Sequence, residues 1–303
     1  MIKKKEDFAM KNAMLIVNPA SGGEQAQEFE RLAKEKLATY FEQVMVKHTQ
    51  AEGDAKAFAR EAARSHFHSL FVMGGDGTVN EGVSGIAEES YRPHFGFFPL
   101  GTVNDLARAV GIPLDPKEAI ASMRFDRTIP LDIGKINQSY FTNVVAIGDI
   151  PESINNVDDK LKTNFGPMAY VLSGLKEILN HKTYSFHLDY DGKSEAIESS
   201  LILIGLTNSI GGLDRFTPEA KVDDGYLHLL ITKDKNFLET LATLPDLFSK
   251  ESHSNDKIKY QQIKEITISL KEEQLQTNVD GDEGDKLPVK IGILPHHLQL
   301  YSI

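Results

Sequence analysis

The stretch FVMGGDGTVNEGVSG, residues 71–85, sets an aspartate among glycines directly after the apolar run 69–74. Glycine inside an element costs about 0.5–1 kcal/mol relative to alanine, so three of them at a strand end call for a reason. Bare backbone makes room for phosphate, because N–H groups at a helix start bind anions. Gly74, Gly75 and Gly77 let that backbone approach closely, and Thr78 adds a hydroxyl donor. Asp76 would repel the same phosphate unless a cation lay between them. A carboxylate among phosphate-binding amides therefore points to Mg²⁺. Two further stretches have the same make-up, NPASGG at 18–23 and PLGTVND at 99–105, the second with Thr102 as a donor. Asp105 and Asp132 each follow a strand or turn and are candidates to join Asp76 around the ion, directly or through water. One such loop could be a tight turn and nothing more; three at successive strand ends outweigh that reading. Neither G-x-x-x-x-G-K-[ST] nor G-x-G-x-x-G is present, so the loops are not those of a P-loop enzyme or a Rossmann dehydrogenase.

The elements needed to position these loops can be read from the pattern. Apolar runs at 13–19, 43–49, 69–74 and 94–101 read as strands. Segments 23–41, 53–66, 78–90, 102–111 and 115–125 read as helices. This alternation predicts a parallel sheet covered by helices, and ligands of such sheets bind at the carboxyl ends of the strands. After residue 128 the pattern changes. Strand-like stretches occupy 128–148, 223–233 and 265–273, and 184–209 reads as two strands around an Asp-Gly turn. Helical stretches at 166–180 and 235–250 interrupt them. The expected fold is α/β: an N-terminal parallel-sheet domain, 1–130, and a C-terminal mainly antiparallel β domain, 131–303. The boundary falls near 126–134, and the extreme C-terminus is free to pack back on the first domain.

Composition narrows the partners. The chain has 303 residues, 41% hydrophobic and 25% charged, with no cysteine and a net charge of −11. That charge argues against nucleic acid, whose binding is dominated by phosphate neutralisation. Without cysteine there is no disulfide and no thiolate metal site. The basic start MIKKKEDFAMKNAM is not followed by a long apolar segment, so it is a poor signal peptide. The apolar run SLILIGL, 200–206, is too short to span a bilayer.

Together, GGDGTVNE (74–81), NPASGG (18–23) and PLGTVNDLAR (99–108) resemble the catalytic family of diacylglycerol kinases, which includes sphingosine and ceramide kinases. The likeness continues through GLTNSIGGL (205–213), KVDDGYLHLLI (221–231) and NVDGDEGDKLP (278–288), nearly the whole chain in the family's order. GGDGT alone is shared with NAD kinases and phosphofructokinases. The resemblance implies a two-domain lipid kinase using ATP and Mg²⁺, with 1–130 an α/β nucleotide-binding domain and 131–303 a β-sandwich domain. It places Asn18, Pro19, Ala20, Ser21, Gly22 and Thr49 beside the nucleotide. Gly74, Gly75, Asp76, Gly77, Thr78, Val79, Asn80 and Glu81 become the phosphate loop, with Thr102 and Asn104 also binding ATP. Asp76, Asp105 and Asp132 match acidic residues that organise Mg²⁺. Asp224 matches a structural Mg²⁺ ligand, helped by main-chain oxygens of Lys221 and Tyr226. Without the resemblance, Asp223-Asp224-Gly225 reads as a plain turn.

The family's general base is a glutamate in Asp-Gly-Glu, whereas this chain reads Asp280-Gly281-Asp282-Glu283. By spacing to Pro288, Asp282 takes the glutamate's place, and Glu283 could substitute if the turn shifts by one. Neighbouring residues in an extended segment point to opposite sides, so Asp282 is expected to aim inward and Glu283 to face solvent. The same rule makes His296-His297 surface decoration rather than a metal pair. The methionine and aromatic stripe of 165–179 reads as packing, with a lipid entrance as its alternative. The expected partners are ATP and a lipid substrate at the membrane surface, no nucleic acid, with a homodimer as the candidate assembly. The expected place is cytoplasmic, with peripheral contact with the inner membrane face. The rival readings are an NAD kinase and a lipid- or nucleotide-binding protein that has lost its base.

Overall fold

The structure is a computed structural model and describes residues 11–148, 182–210, 213–214, 220–232, 258–271 and 274–303. The helices expected at 166–180 and 235–250, and the stripe of 165–179, lie outside the described residues. The chain divides into two compact units.

The first unit runs to Gly101 and adds Ile112–Ile129 and Leu298–Ile303. It holds β1 (Asn12–Val17), a 3-10 turn at Gly23–Gln25, α1 (Ala26–Ala38), β2 (Gln43–His48), α2 (Asp54–Arg64), β3 (Ser69–Gly74), α3 (Asp76–Ile86) and β4 (His94–Pro99). The short α4 (Asp105–Val110) groups with the second unit, and α5 (Pro116–Ser122) with the first. The four strands pair in the order β2-β1-β3-β4, all parallel. Every residue of β3 is buried, as expected for a parallel strand covered on both faces. Helix α2 buries Ala55, Ala59, Ala62 and Ala63, one stripe at helical spacing. α3 packs closely against it: a Cβ on Gly85 would lie 2.4 Å from the Lys56 carbonyl oxygen. α5 starts with Pro116 behind the Asp115 N-cap, whose side chain accepts from the Glu118 N–H.

The second unit comprises Thr102–Gly111 and Pro130–His297. Its strands are β5 (Thr128–Ile136), β6 (Ser139–Phe141), β7 (Val144–Gly148), β8 (Tyr184–Tyr190), β9 (Lys193–Ser199), β10 (Leu201–Gly205), β11 (Ser209–Ile210) and β12 (Leu213–Asp214), followed by β13 (Leu227–Thr232), β14 (Ile258–Ile263), β15 (Glu265–Leu270), β16 (Gln276–Val279), β17 (Asp282–Lys286) and β18 (Val289–Tyr301). One sheet runs β14-β13-β10-β7-β16-β17 and is antiparallel. The other carries β18-β15-β8-β9, also antiparallel. Side chains of both sheets form one core, with Ile147, Ile204 and Leu229 from the first and Phe186, Leu188, Ile266 and Ile291 from the second. β8 alternates strictly between buried and exposed residues.

The segment 184–209 holds three strands rather than two. β8 and β9 form the expected hairpin, with Asp191 and Gly192 at φ 44° and 78°, the paired left-handed residues of a tight two-residue turn. β10 then starts after a single intervening residue. β18 ends in the first unit, where Leu300 pairs in parallel with Phe95 of β4. There the Tyr301 ring stacks on Phe71, with centroids 5.3 Å apart, and its hydroxyl lies 2.7 Å from Ser69 Oγ.

Candidate active site

The phosphate-loop residues gather at the carboxyl ends of the first unit's strands. Asn18 follows β1 and is pinned there: its backbone N–H donates to the Met73 carbonyl (2.9 Å), and its Nδ2 donates to Thr78 Oγ1 (3.0 Å). Its Oδ1 accepts from the Ala20 N–H (3.0 Å), which shapes the loop through Pro19 and Ser21. Gly22 sits at φ 86°. Thr49 donates its N–H to the Val17 carbonyl at the end of β1 (2.9 Å). Gly74 is irreplaceable by sterics, because a Cβ there would lie 2.7 Å from Thr78 Cβ. Gly75 is extended and caps α3 with no side-chain hydrogen bond. The helix thus begins at Asp76, two residues earlier than the sequence suggests, behind an N-cap glycine that has no side chain to cap it. That is an anion-seeking helix start.

Two residues of the expected loop are used otherwise. The Val79 side chain is buried in the core. Glu81 reaches to the neighbouring helix: its Oε1 accepts from the Gly53 N–H (3.0 Å) and its Oε2 from the Ala55 N–H (3.1 Å). Its carboxylate therefore caps α2, because that helix starts at Gly53 without a side-chain cap of its own.

The remaining carboxylates belong to the second unit. Thr102 is exposed, and Asn104 is buried at φ 54° as the N-cap of α4. Asp105 follows it, buried, and accepts from Ser209 Oγ (2.7 Å). Asp132 is buried too. Its Oδ2 accepts from the Gly225 N–H and its Oδ1 from the His296 N–H, both at 2.6 Å. Burial pushes the Asp132 carboxyl up, against the pull of those two donors. Asp224 is held by the Lys221 N–H (2.9 Å), the Tyr226 N–H (3.0 Å) and His228 Nε2 (3.0 Å). Burial raises its pKa, but His228 and the backbone donors together hold it below the usual carboxylate value. His296 is more than decoration. Its backbone takes φ 50°, which breaks strand alternation, and its Nε2 donates to the Asp223 carbonyl (2.9 Å).

Asp280 and Gly281, at φ 52° and 100°, form the two-residue turn between β16 and β17. Asp282 pairs with Val279, which is buried, so it lies on the sheet's inner face; Glu283 pairs with Asn278 on the other. Both are exposed nonetheless, because β17 is the edge strand and these are its first residues. Exposure therefore does not set the two apart as the sequence reading expected. Asp280 is the engaged carboxylate. It accepts from the N–H groups of Thr142 (2.7 Å), Asn143 (3.0 Å) and Val144 (2.8 Å), and from Thr142 Oγ1 (3.2 Å). Burial pushes its carboxyl up to about 6 against those four donors. With every acceptor position taken, Asp280 anchors the hairpin and is not a free base.

Residues 12–136 match the diacylglycerol kinase catalytic domain, and residues 144–302 match the YegS C-terminal NAD kinase beta sandwich-like domain. A diacylglycerol kinase of Staphylococcus carnosus is 37% identical over 295 residues, spanning 96% of this chain and 95% of its own. The chain belongs to the diacylglycerol kinase family. A crystal structure from Bacillus anthracis superposes with a TM-score of 0.84 at 28% identity, covering 100% of this chain and 99% of that one. Another from the same organism, described as a diacylglycerol kinase, gives 0.75 at 26% identity, with 97% of each chain covered. In this family member, sequence reasoning missed the anchoring by Asp280 and the support of Asp224 by His228. The Asp-Gly pair at 280–281 was the available signal for the first, since it marks a hairpin turn. His228 sits four residues after Asp224 on a buried strand, and nothing local announces it.

Proposed function

We propose that the protein transfers the γ-phosphoryl group of ATP to the hydroxyl of diacylglycerol or a related lipid, giving a phosphatidic-acid-type product. The observation that carries this reading is the start of α3, which follows Gly74 and Gly75 at the end of β3 and opens on Asp76. Its N–H groups suit a phosphate tail, with Thr78 held ready by Asn18. The relatives' names point the same way.

The donor set fits Mg²⁺. Asp224 Oδ1 takes one N–H and keeps a lone pair, and the main-chain oxygens of Lys221 and Tyr226 would be the further hard donors. Among the described residues no three His, Asp or Glu side chains gather into a metal cage. Mg²⁺ keeps several waters and uses one or two carboxylates; Asp76, Asp105 and Asp132 are the carboxylates that would organise it, directly or through water. When bound, the ion offsets charge developing on the γ-phosphoryl group. Asp282, on the inner face of its sheet, takes the hydroxyl proton, with Glu283 as its alternate. In phosphoryl transfer the protein mainly positions and neutralises. Among the described residues no helix is long and apolar enough to cross a membrane. On this reading the lipid is met at the membrane surface.

ATP turnover with Mg²⁺ against diacylglycerol, a sphingoid base, undecaprenol and NAD tests the reading. Phosphorylation of a lipid alcohol is expected. Phosphorylation of NAD alone would replace it by an NAD kinase, and no turnover of any acceptor would leave a binding protein.

A further inference from the structure

Asn143 stands at the corner between β6 and β7, 3% exposed, and the proposed mechanism does not use it. Its backbone joins two parts of the second unit. The Asn143 N–H donates to Asp280, two residues before Asp282. The Asn143 carbonyl accepts from the Leu206 N–H (2.9 Å), three residues before Ser209, which holds Asp105. The corner is thus tied on one side to the hairpin of the proposed base. On the other it is tied to the segment that holds a proposed Mg²⁺-organising carboxylate.

The side chain has one end satisfied and one end orphaned. Thr142 Oγ1 gives its proton to Asp280, so toward Asn143 it can only accept. Asn143 must therefore present Nδ2 to it, at 3.3 Å. The amide orientation follows from the network, and Oδ1 points away. That oxygen is buried and has no hydrogen-bond partner. A buried acceptor without a donor is unfavourable, and a native orphan of this kind marks a place where something else supplies the donor.

We infer that Asn143 reads the acceptor alcohol: its Oδ1 accepts the O–H of the lipid substrate. The inference rests on the kinase reading above and deepens it. Diacylglycerol carries one hydrogen-bond donor, its free hydroxyl, while its ester oxygens only accept. A site that must pair an acceptor therefore takes the alcohol and disfavours the same lipid with that hydroxyl removed or phosphorylated, because Oδ1 is then left unpaired. The product loses the O–H that held the substrate, and its release is favoured. A ribose hydroxyl of ATP has the same chemistry, but the tie to the Asp280–Glu283 hairpin favours the lipid.

The test compares wild type with Asn143→Leu, close in size and without the polar end. It reads melting temperature, kinetics with dioleoylglycerol and with ATP, and inhibition by 3-deoxy-dioleoylglycerol. The expected melting temperature changes by no more than about a degree or two, since leucine removes an oxygen with no partner in the fold and only one long hydrogen bond, from Nδ2 to Thr142 Oγ1. The expected kcat/KM for dioleoylglycerol falls roughly tenfold, with the KM for ATP unchanged. The preference for the alcohol over its deoxy analogue also shrinks, a coupling read as a double-mutant cycle. A melting temperature several degrees lower makes the amide a structural group and overturns the inference. So does unchanged lipid kinetics, or an effect confined to the KM for ATP. If the leucine variant does not fold, Asn143→Ala is read by the same criteria. A wild-type protein that phosphorylates no lipid alcohol sinks the kinase reading and the inference with it. An active wild type matched by its variant sinks the inference alone.

Discussion

The sharpest expectations concern single carboxylates. Asp76 opens α3 and shares its loop with the proposed phosphate site, so Asp76→Asn should remove several kcal/mol of transition-state stabilisation. That is roughly a thousandfold in rate, in a protein that still folds by circular dichroism; activity within threefold of wild type removes Asp76 from the site. For the base, Asp282→Asn should cost about a hundred- to ten-thousandfold in turnover while ATP binding persists, and Glu283→Gln should change little. The reverse result moves the base to the other face of β17. Asp280 belongs to stability instead. Its carboxyl, pushed up to about 6 by burial, lies above the ordinary aspartate value of 3.8, so the fold favours the protonated acid. The stability this contributes is fully present below about 3.8 and is lost as pH rises through about 6. Between those limits it amounts to about 3 kcal/mol. Asp280→Asn does not titrate and turns an NH₂ group toward backbone N–H donors, so it should be less stable throughout. Urea unfolding at pH 4, 5, 6 and 7 should show the gap to wild type widening as pH falls; a constant gap rejects the assignment.

At the scale of elements, α2 depends on a residue from its neighbour. Glu81→Ala leaves the Gly53 and Ala55 N–H groups without their acceptor and should cost about 0.5–2 kcal/mol, the range of a lost helix cap. Thermal unfolding reads this, and added nucleotide should raise wild type and variant by the same amount, leaving the gap between them unchanged, since the lesion is in the α2–α3 contact. The same residue shows how far the sequence could be read. GGDGTVNE was legible as the junction between a strand and a helix, because glycines after a buried run say so locally, although α3 takes in Asp76 and Gly77 as well. That Glu81 caps α2 was not, because its partners lie more than twenty residues away. Likewise β1, β2, β3 and β4 could be read from apolar runs, and the Asp191-Gly192 hairpin from its turn chemistry. β14, β16 and β17 are short, polar and without clean alternation, and only cross-strand pairing makes them strands. β18 contains Pro295 and a left-handed His296, signals that ordinarily end a strand. The site divides in the same way: glycines and the Asp-Gly turn announce themselves, while Asn143 and His228 matter through distant partners.

For the molecule as a whole, a metal bound only by the native state stabilises it by mass action. The melting temperature should therefore climb with Mg²⁺ concentration in the wild type and respond less in Asp224→Ala. A wild-type melting temperature indifferent to Mg²⁺ removes the structural ion.

β18 gives up its last residues to the first unit, where Leu300 lies beside Phe95 and Tyr301 reaches Ser69. A ribosome makes chain at about 5–20 residues per second. Leu298–Ile303 thus emerge tens of seconds after β4, although both belong to the same compact body. The nascent first unit waits through that interval with the outer edge of β4 open, and an open strand edge invites pairing with other chains. The order of synthesis and the order of assembly are at odds, so the yield of folded protein depends on what shields β4 until translation reaches Tyr301.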